Sequence, residues 1–214
     1  MRVYFISGLG ADKSVFQFLD LSYCQPVFID WIKPQHDESL KHYALRIKEA
    51  YAIPGDAIIT GLSFGGMLAT EIAKAFPQTK AVLLSSSKTK DELPAFYKLG
   101  KPLPVYKWPP NWVQRQIMFG LEKRFGIISP RGKEIYRGIV KRANISFNKW
   151  AVWAILHWDN TTIPANVVHI HGTADRILPI SKVKANVIIK NAGHLMVIEN
   201  AAEVSLVLRD KLTA

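Results

Sequence analysis

The sequence of 214 residues is short of cysteine and of long apolar runs. Its single cysteine, Cys24, excludes a disulfide within the chain and leaves no cysteine cluster for a metal. No segment approaches the roughly 18 consecutive apolar residues of a membrane-spanning helix. The N-terminal "MRVYFISGLG" fits a first strand better than a signal peptide, because its apolar run is short and ends in glycines. We therefore expect a cytoplasmic protein with no transmembrane segment.

Acidic residues are scarce in the middle of the chain. The net charge is +11, and the segment from Lys88 to Lys149 holds 14 Lys/Arg against 4 Asp/Glu. This excess could be an ordinary solvated face, or it could attract an anionic or carrier-protein-linked substrate or an anionic lipid surface. Charge alone would also allow nucleic-acid binding. The catalytic motifs described below argue against that function, so we predict no nucleic-acid partner.

Short apolar runs alternate with helical patterns in the first 87 residues and again from about residue 161. Strands are predicted over residues 2–7, 26–31, 56–63, 81–87, 166–172 and 185–194. Helices are predicted over residues 37–51, with Asp37 as N-cap, over 64–76, and from about 201 to the C-terminal region. This alternation predicts an α/β fold, with a parallel sheet and helices on both of its faces.

The segment 88–160 interrupts this alternation. It is rich in aromatic and basic residues and contains two helical patterns, "NWVQRQIMFGLEKRFG" and "GKEIYRGIVKRA", but no clear strand. We therefore predict two parts: an α/β core made of 1–87 and 161–214, and a helical insertion, 88–160, that follows the fourth strand.

A serine lies between three glycines in "IITGLSFGGM", where a strand is followed by a helix. Ser63 is the centre of a G-x-S-x-G pattern, and strand, sharp turn and helix are the context that a nucleophilic serine requires. Gly61 and Gly65 permit the tight backbone that such a turn needs. The following helix would direct its first amide, that of Phe64, towards an oxyanion. A glycine-rich turn that only packs, or that binds phosphate, is the alternative.

A nucleophilic serine needs a base, and His194 is the best placed of the six histidines. It follows a strand in the loop "NAGH", where Gly193 allows a tight turn, and it precedes a helix. Parallel strands present such residues at their carboxyl edge, the edge that also holds Ser63. Packing or structural hydrogen bonds explain His169 and His171, which alternate along one strand.

An acid should orient the imidazole of the base. Asp175 follows the strand that ends at about His171, within "HGTADRILP". Asp30, at the end of the second strand, and Asp159, at the exit of the insertion, are competitors. The order Ser63, Asp175, His194, each after its own strand, favours Asp175.

The loop after the first strand, "SGLGADKSVF", is expected to supply a second oxyanion donor. Gly8 and Gly10 allow the backbone to come close, and the amide of Leu9 is the expected donor. Ten of the aromatic side chains in the insertion, those from Phe96 to Trp150, are expected to cover the serine and to shape an apolar acyl pocket. Its predicted lining residues are Gly8, Trp112, Trp153 and His157.

Four motifs together resemble the α/β-hydrolase superfamily over nearly the whole chain: "SGLG" (7–10), "GLSFGG" (61–66), "HGTADRILP" (171–179) and "NAGHLMVIENAAEV" (192–204). The size is similar to that of compact bacterial esterases, including the pimeloyl-carrier-protein methyl ester hydrolases. The resemblance implies Ser63 as nucleophile, His194 as base and Asp175 as acid. It also implies an oxyanion hole of the Leu9 and Phe64 amides, a cap made of 88–160, and no cofactor or metal.

The sequence departs from the family pattern in ways that affect the fold. It begins on the strand that usually follows two antiparallel strands, so six parallel strands are expected. Ser7-Gly8 stands where the family's oxyanion loop usually has His-Gly. Only a short stretch separates Pro179 from Asn191, so the helix between the last two strands is expected to be short or absent.

These features predict a serine hydrolase that cleaves a carboxylic ester, or a thioester, of a small molecule through an acyl-enzyme. A thioesterase or methyl esterase acting on carrier-protein or CoA conjugates is one alternative. A non-catalytic ligand-binding protein on the same scaffold is another, because a fold does not determine a function.

Overall fold

The computed structural model describes residues 1–95, 97 and 109–213. It contains one six-stranded sheet in which every neighbouring pair of strands is parallel, in the order β2-β1-β3-β4-β5-β6. The strands are β1 (Arg2–Ile6), β2 (Gln25–Ile29), β3 (Ile58–Leu62), β4 (Lys80–Leu84), β5 (Val167–Gly172) and β6 (Val187–Ile189). The prediction of six parallel strands is confirmed.

Helices connect these strands and follow the last one. They are α1 (Leu40–Ala50), α2 (Phe64–Ala75), α3 (Asn111–Gly120), α4 (Pro130–Arg142), α5 (Ile145–Leu156), α6 (Met196–Glu199) and α7 (Ala201–Thr213). The N-cap of α1 is Ser39, whose hydroxyl accepts from the amide of His42, and not Asp37 as predicted. Asp37 lies two residues earlier with a positive φ of 50°, outside the capping position.

Alternation along the strands divides the core into two apolar clusters, one on each face of the sheet. Tyr4 and Ile6 of β1 pack with α1, α2 and part of α5. Val3 and Phe5 pack on the other face with residues of α4, α6 and α7. The prediction of helices on both faces is therefore confirmed.

The three helices α3, α4 and α5 lie between β4 and β5 in the chain, where the insertion was predicted. They are not a separate body, because Phe147 and Ala151 of α5 belong to one apolar cluster and Tyr136 and Val140 of α4 belong to the other. Their role as a cap stays a prediction. Between β5 and β6, the chain from 173 to 186 forms turns and no helix, as the short spacing predicted.

Candidate active site

Ser63 occupies a strained turn between β3 and α2. Its φ of 51° and ψ of −116° lie in a region that side-chain-bearing residues rarely adopt. Its amide donates to the carbonyl of Leu84 at 2.9 Å, and its carbonyl accepts from the amide of Gly66 at 2.9 Å and from the hydroxyl of Ser86 at 2.6 Å. These bonds to β4 and to the region after it hold the turn in its strained conformation.

Glycines make this turn sterically possible. A Cβ on Gly61 would overlap the carbonyl of Gly65, and a Cβ on Gly65 would overlap the carbonyls of Ile6 and Ser7 at the end of β1. The two glycines of the motif therefore let α2 start directly against β1 and β3, as the sequence predicted for small residues at these positions.

The structure brings the three predicted catalytic side chains into one hydrogen-bonded chain. The Nε2 of His194 lies 2.9 Å from the Oγ of Ser63, and its Nδ1 lies 2.7 Å from Oδ2 of Asp175. Because an ionised carboxylate only accepts, Nδ1 of His194 donates to Asp175, and Nε2 is left free to accept from the serine hydroxyl. Asp175 and His194 are only 4% and 1% exposed.

Asp175 is held as an anion in this buried position. Burial raises the pKa of its carboxyl, but the opposite charge of His194, its hydrogen bond and the amide of Leu178 outweigh burial, so that the pKa is lowered. Its Oδ1 accepts from the amides of Ile177 at 2.8 Å and Leu178 at 2.9 Å. The competitors Asp30 and Asp159 are exposed, and neither contacts a histidine among the described residues.

The two predicted oxyanion donors lie beside Ser63. Leu9 and Phe64 line the same cavity as the serine, and among the described residues neither backbone amide donates a hydrogen bond. Phe64 is the first residue of α2, so its amide has no partner within the helix. The Leu9 loop turns tightly, because the amide of Ala11 donates to the carbonyl of Gly8 at 2.9 Å and Gly10 has a φ of 75°.

An apolar cavity of about 180 Å³ opens onto Ser63 and His194. Helices α3, α4 and α5 and the turn after α3 supply most of one wall: Met118, Leu121, Phe125, Tyr136, Ile139, Val140, Val152 and Ile155. No carboxylate, lysine or arginine lies among the described lining residues. Burial, with a smaller contribution from the charge of Asp175, raises the pKa of Tyr97, another lining residue, to about 12, so this phenol is neutral. The cavity suits an uncharged apolar group.

Of the predicted pocket residues, Gly8 lines this cavity, whereas Trp112, Trp153 and His157 are not among its described lining residues. Trp112 is 70% exposed at the start of α3. The ring of Trp153 stacks on the ring of His157, with centroids 4.6 Å apart, and His157 is exposed. Trp153 lies roughly 100° and 160° around α5 from the lining residues Val152 and Ile155, and His157 follows directly after the end of this helix.

Part of the excess positive charge lies along α4, on the outside of this wall. Lys133, Arg137 and Lys141 follow one another at helical spacing along α4, and the lining residues Tyr136 and Val140 lie on the adjacent face of this helix. Arg137 is partly neutralised by Glu122 at 3.3 Å. Attraction of an anionic substrate by this face stays a prediction.

Two further findings concern the described residues alone. None of their helices combines the length and the apolar character needed to cross a membrane. They also contain no group of three or more His, Cys, Asp or Glu side chains arranged to hold a metal ion.

The chain is similar to known proteins in its sequence pattern and in its fold. A family model described as the alpha/beta hydrolase family matches residues 3–205. The fold is similar to that of a thermophilic esterase from Thermogutta terrifontis, with a TM-score of 0.75 and 18% identity over 100% of this chain and 89% of the other. It is also similar to the enol-lactonase from Burkholderia xenovorans LB400, with a TM-score of 0.74 and 14% identity over 100% and 91% of the two chains.

A third similar structure is the esterase EaEST from Exiguobacterium antarcticum, with a TM-score of 0.71 and 14% identity over 100% of this chain and 92% of the other. At these identities the structural likeness establishes the fold alone. A search of curated protein sequences returned no significant match.

Proposed function

The chain belongs to the alpha/beta hydrolase family, and we propose that it is a serine hydrolase that cleaves carboxylic esters of small, uncharged acyl groups. The observation that carries this proposal is the continuous chain of hydrogen bonds from the Oγ of Ser63 through His194 to Asp175. A protein that only binds a ligand has no need of a base placed against the serine hydroxyl. The family and the site therefore favour an enzyme over a non-catalytic receptor.

In the proposed reaction, Nε2 of His194 takes the hydroxyl proton as the Oγ of Ser63 attacks the ester carbonyl carbon. The carbonyl π electrons move to oxygen, and the amides of Leu9 and Phe64 stabilise the oxyanion. The imidazolium then protonates the departing alcohol as the C–O bond breaks, which leaves an acyl-serine. Water, deprotonated by His194, hydrolyses this intermediate by the same sequence of steps.

The cavity suggests the size of the acyl group. A cavity of about 150 Å³ holds one benzene molecule, so about 180 Å³ holds roughly six to eight carbon atoms. Its lining residues offer no charged partner for a carboxylate or ammonium on the acyl chain. Burying such a charge unpaired would cost several kcal/mol, whereas each buried methylene contributes about 0.8 kcal/mol. Short to medium aliphatic acyl groups are the expected substrates, on an alcohol or on a thiol.

The first test is covalent labelling of the wild-type protein with a fluorophosphonate probe. We expect one probe per molecule, located on Ser63 by mass spectrometry of the peptide, because the placed base makes this hydroxyl alone strongly nucleophilic. Prior denaturation should abolish the labelling. Absence of labelling, or labelling of other serines at an equal rate, would contradict the proposal.

Acyl-chain preference tests the assignment of the cavity. Across p-nitrophenyl esters from acetate to dodecanoate, kcat/KM should peak at about six to eight acyl carbons, the capacity of the cavity. Leu121→Ala should move the peak towards longer chains by about two carbons, because it removes part of one cavity wall. Ile117→Ala, on the exposed side of α3, is the matched control and should leave the peak in place. A profile that is flat in chain length would exclude this cavity as the acyl site.

A further inference from the structure

Two buried imidazoles lie beside Asp175 in addition to His194. His171 and His169 alternate on β5, and both side chains are inaccessible to solvent. The Nε2 of His171 lies 2.7 Å from the carbonyl oxygen of Leu178 and 3.4 Å from Oδ2 of Asp175. Because a carbonyl oxygen can only accept, Nε2 of His171 carries the proton, and the tautomer of this ring is fixed.

Leu178 connects His171 to the catalytic carboxylate. The amide of this residue donates to Oδ1 of Asp175 at 2.9 Å, while its carbonyl accepts from His171. The imidazole therefore fastens the loop 175–178 to β5 at the residue that also binds the carboxylate. Its N–H lies near Oδ2, the oxygen that accepts from His194, at a distance too long for a full hydrogen bond but short enough for electrostatic attraction.

His169 completes this arrangement from the far side. Its Nε2 accepts from the amide of Ser86 at 3.3 Å and lies 3.1 Å from Nδ1 of His171, so this ring packs against His171 without donating to it. Burial lowers the pKa of both rings, most strongly that of His169, whereas the neighbouring Asp175 charge opposes the shift at His171. Because both rings are neutral, the negative charge of Asp175 remains available to the imidazolium that forms at His194 during catalysis.

Packing alone does not account for this pair. A buried polar group costs free energy unless it is hydrogen-bonded, and the neighbouring β5 residues that face the core are aliphatic. An aliphatic side chain would fill the position of His171 without needing a partner. What a leucine could not supply is the N–H donor to the loop that carries the acid.

We infer that His171 is a positioning residue, which holds the loop 175–178, and with it the carboxylate of Asp175, in the geometry that His194 requires. This inference rests on the proposed serine-hydrolase function, because a role in positioning has meaning only if Asp175 acts through His194 on Ser63. Neither His171 nor His169 lies among the described residues that line the substrate cavity. Ile177 and Leu178 of the anchored loop do line it, so loss of the donor should act mainly on the chemical step, with a small change in KM.

Two amide replacements of His171 separate donation from packing. A glutamine amide nitrogen reaches the position of Nε2 and can donate to Leu178, whereas an asparagine amide reaches only the position of Nδ1. We expect His171→Asn to lower kcat about 10- to 100-fold with KM within about 3-fold, since a displacement of about 1 Å can cost 100-fold. His171→Gln should restore kcat to within about 5-fold of wild type. Equal kcat values for the two variants would overturn the inference.

A matched control accounts for loss of stability. Ile170 lies next to His171 on β5, is fully buried and packs on the opposite face of the sheet. Ile170→Ala should lower the melting temperature at least as much as His171→Leu while keeping kcat within about 2-fold, whereas His171→Leu should lose about 10- to 100-fold. If folded samples of Ile170→Ala and His171→Leu lost kcat equally, the role of His171 would be structural only. If His171→Leu does not fold, the comparison of kcat between His171→Gln and His171→Asn still tests the inference.

The proposed function and the positioning role fail in different ways. If wild-type protein hydrolyses no ester and Ser63 is not labelled, the proposed function is wrong. If wild-type protein turns over ester through Ser63 and all the His171 variants match it in kcat, the hydrolase stands and only the positioning role is wrong.

Discussion

Ser63→Ala should lower kcat/KM for ester hydrolysis by about 10⁶-fold, because the variant has no hydroxyl to attack the carbonyl. Alanine fits the space of serine and carries the same Cβ, so the strained backbone at φ 51° gains no further strain. The bonds that hold the turn use the backbone of residue 63 and are kept. Initial rates with a p-nitrophenyl ester of medium chain length, together with thermal unfolding, measure both expectations.

Ser87→Ala is the matched control for this substitution. Ser87 is also buried and lies shortly after β4, and its hydroxyl has no hydrogen-bond partner among the described residues. Its loss should change kcat/KM by less than about 2-fold. Retention of more than about 1% of wild-type activity by Ser63→Ala, in protein free of contaminating esterase, would mean that another residue is the nucleophile.

The meeting of the three catalytic candidates could be predicted from the sequence because it follows from topology. Each of Ser63, Asp175 and His194 comes shortly after its own strand, and the carboxyl ends of parallel strands lie at one edge of the sheet. Short apolar runs were enough to identify those strands. Ser63 lies more than 100 residues before Asp175 and His194 in the sequence, yet the strand order alone predicts that they meet, without any prediction of individual contacts.

The lining of the cavity could not be predicted in the same way. Helix α5, "ISFNKWAVWAIL", carries apolar residues around most of its circumference, so its sequence does not indicate which face meets the cavity. Val152 and Ile155 face it, and the larger aromatic side chain of Trp153 does not. The orientation of such a helix is set by its tertiary contacts, which a pattern of hydrophobicity does not contain.

The packing of the loop that carries His194 could not be predicted from the sequence either. Gly193 was predicted to permit a tight turn, but its φ is not positive. A Cβ on Gly193 would lie 2.7 Å from the Cα of Gly126, and the amide of Leu195 donates to the carbonyl of Phe125 at 2.9 Å. The loop that carries the base is thus packed against the segment between α3 and α4. Only the three-dimensional structure brings these two glycines together.

The carboxylate of Asp175 should be needed for rate and not for the fold, and Asp175→Asn should lower kcat about 10⁴-fold. The asparagine oxygen can still accept from the amides of Ile177 and Leu178, so the loop is kept. Its amide group then faces Nδ1 of His194 and donates to it, which moves the ring proton to Nε2. In that tautomer His194 cannot accept the proton of Ser63, and no negative charge stabilises the imidazolium.

The competing carboxylates provide the controls for Asp175→Asn. Asp30→Asn and Asp159→Asn make the same chemical change at exposed positions and should keep kcat within about 2-fold of wild type. Thermal unfolding of Asp175→Asn should show a folded protein, and fluorophosphonate labelling of its Ser63 should be slowed in parallel with kcat, because both reactions need the same base. A loss of less than 10-fold in kcat would mean that Asp175 does not orient His194. If Asp159→Asn lost as much kcat as Asp175→Asn, the assignment of the acid to the loop of Asp175 would be wrong.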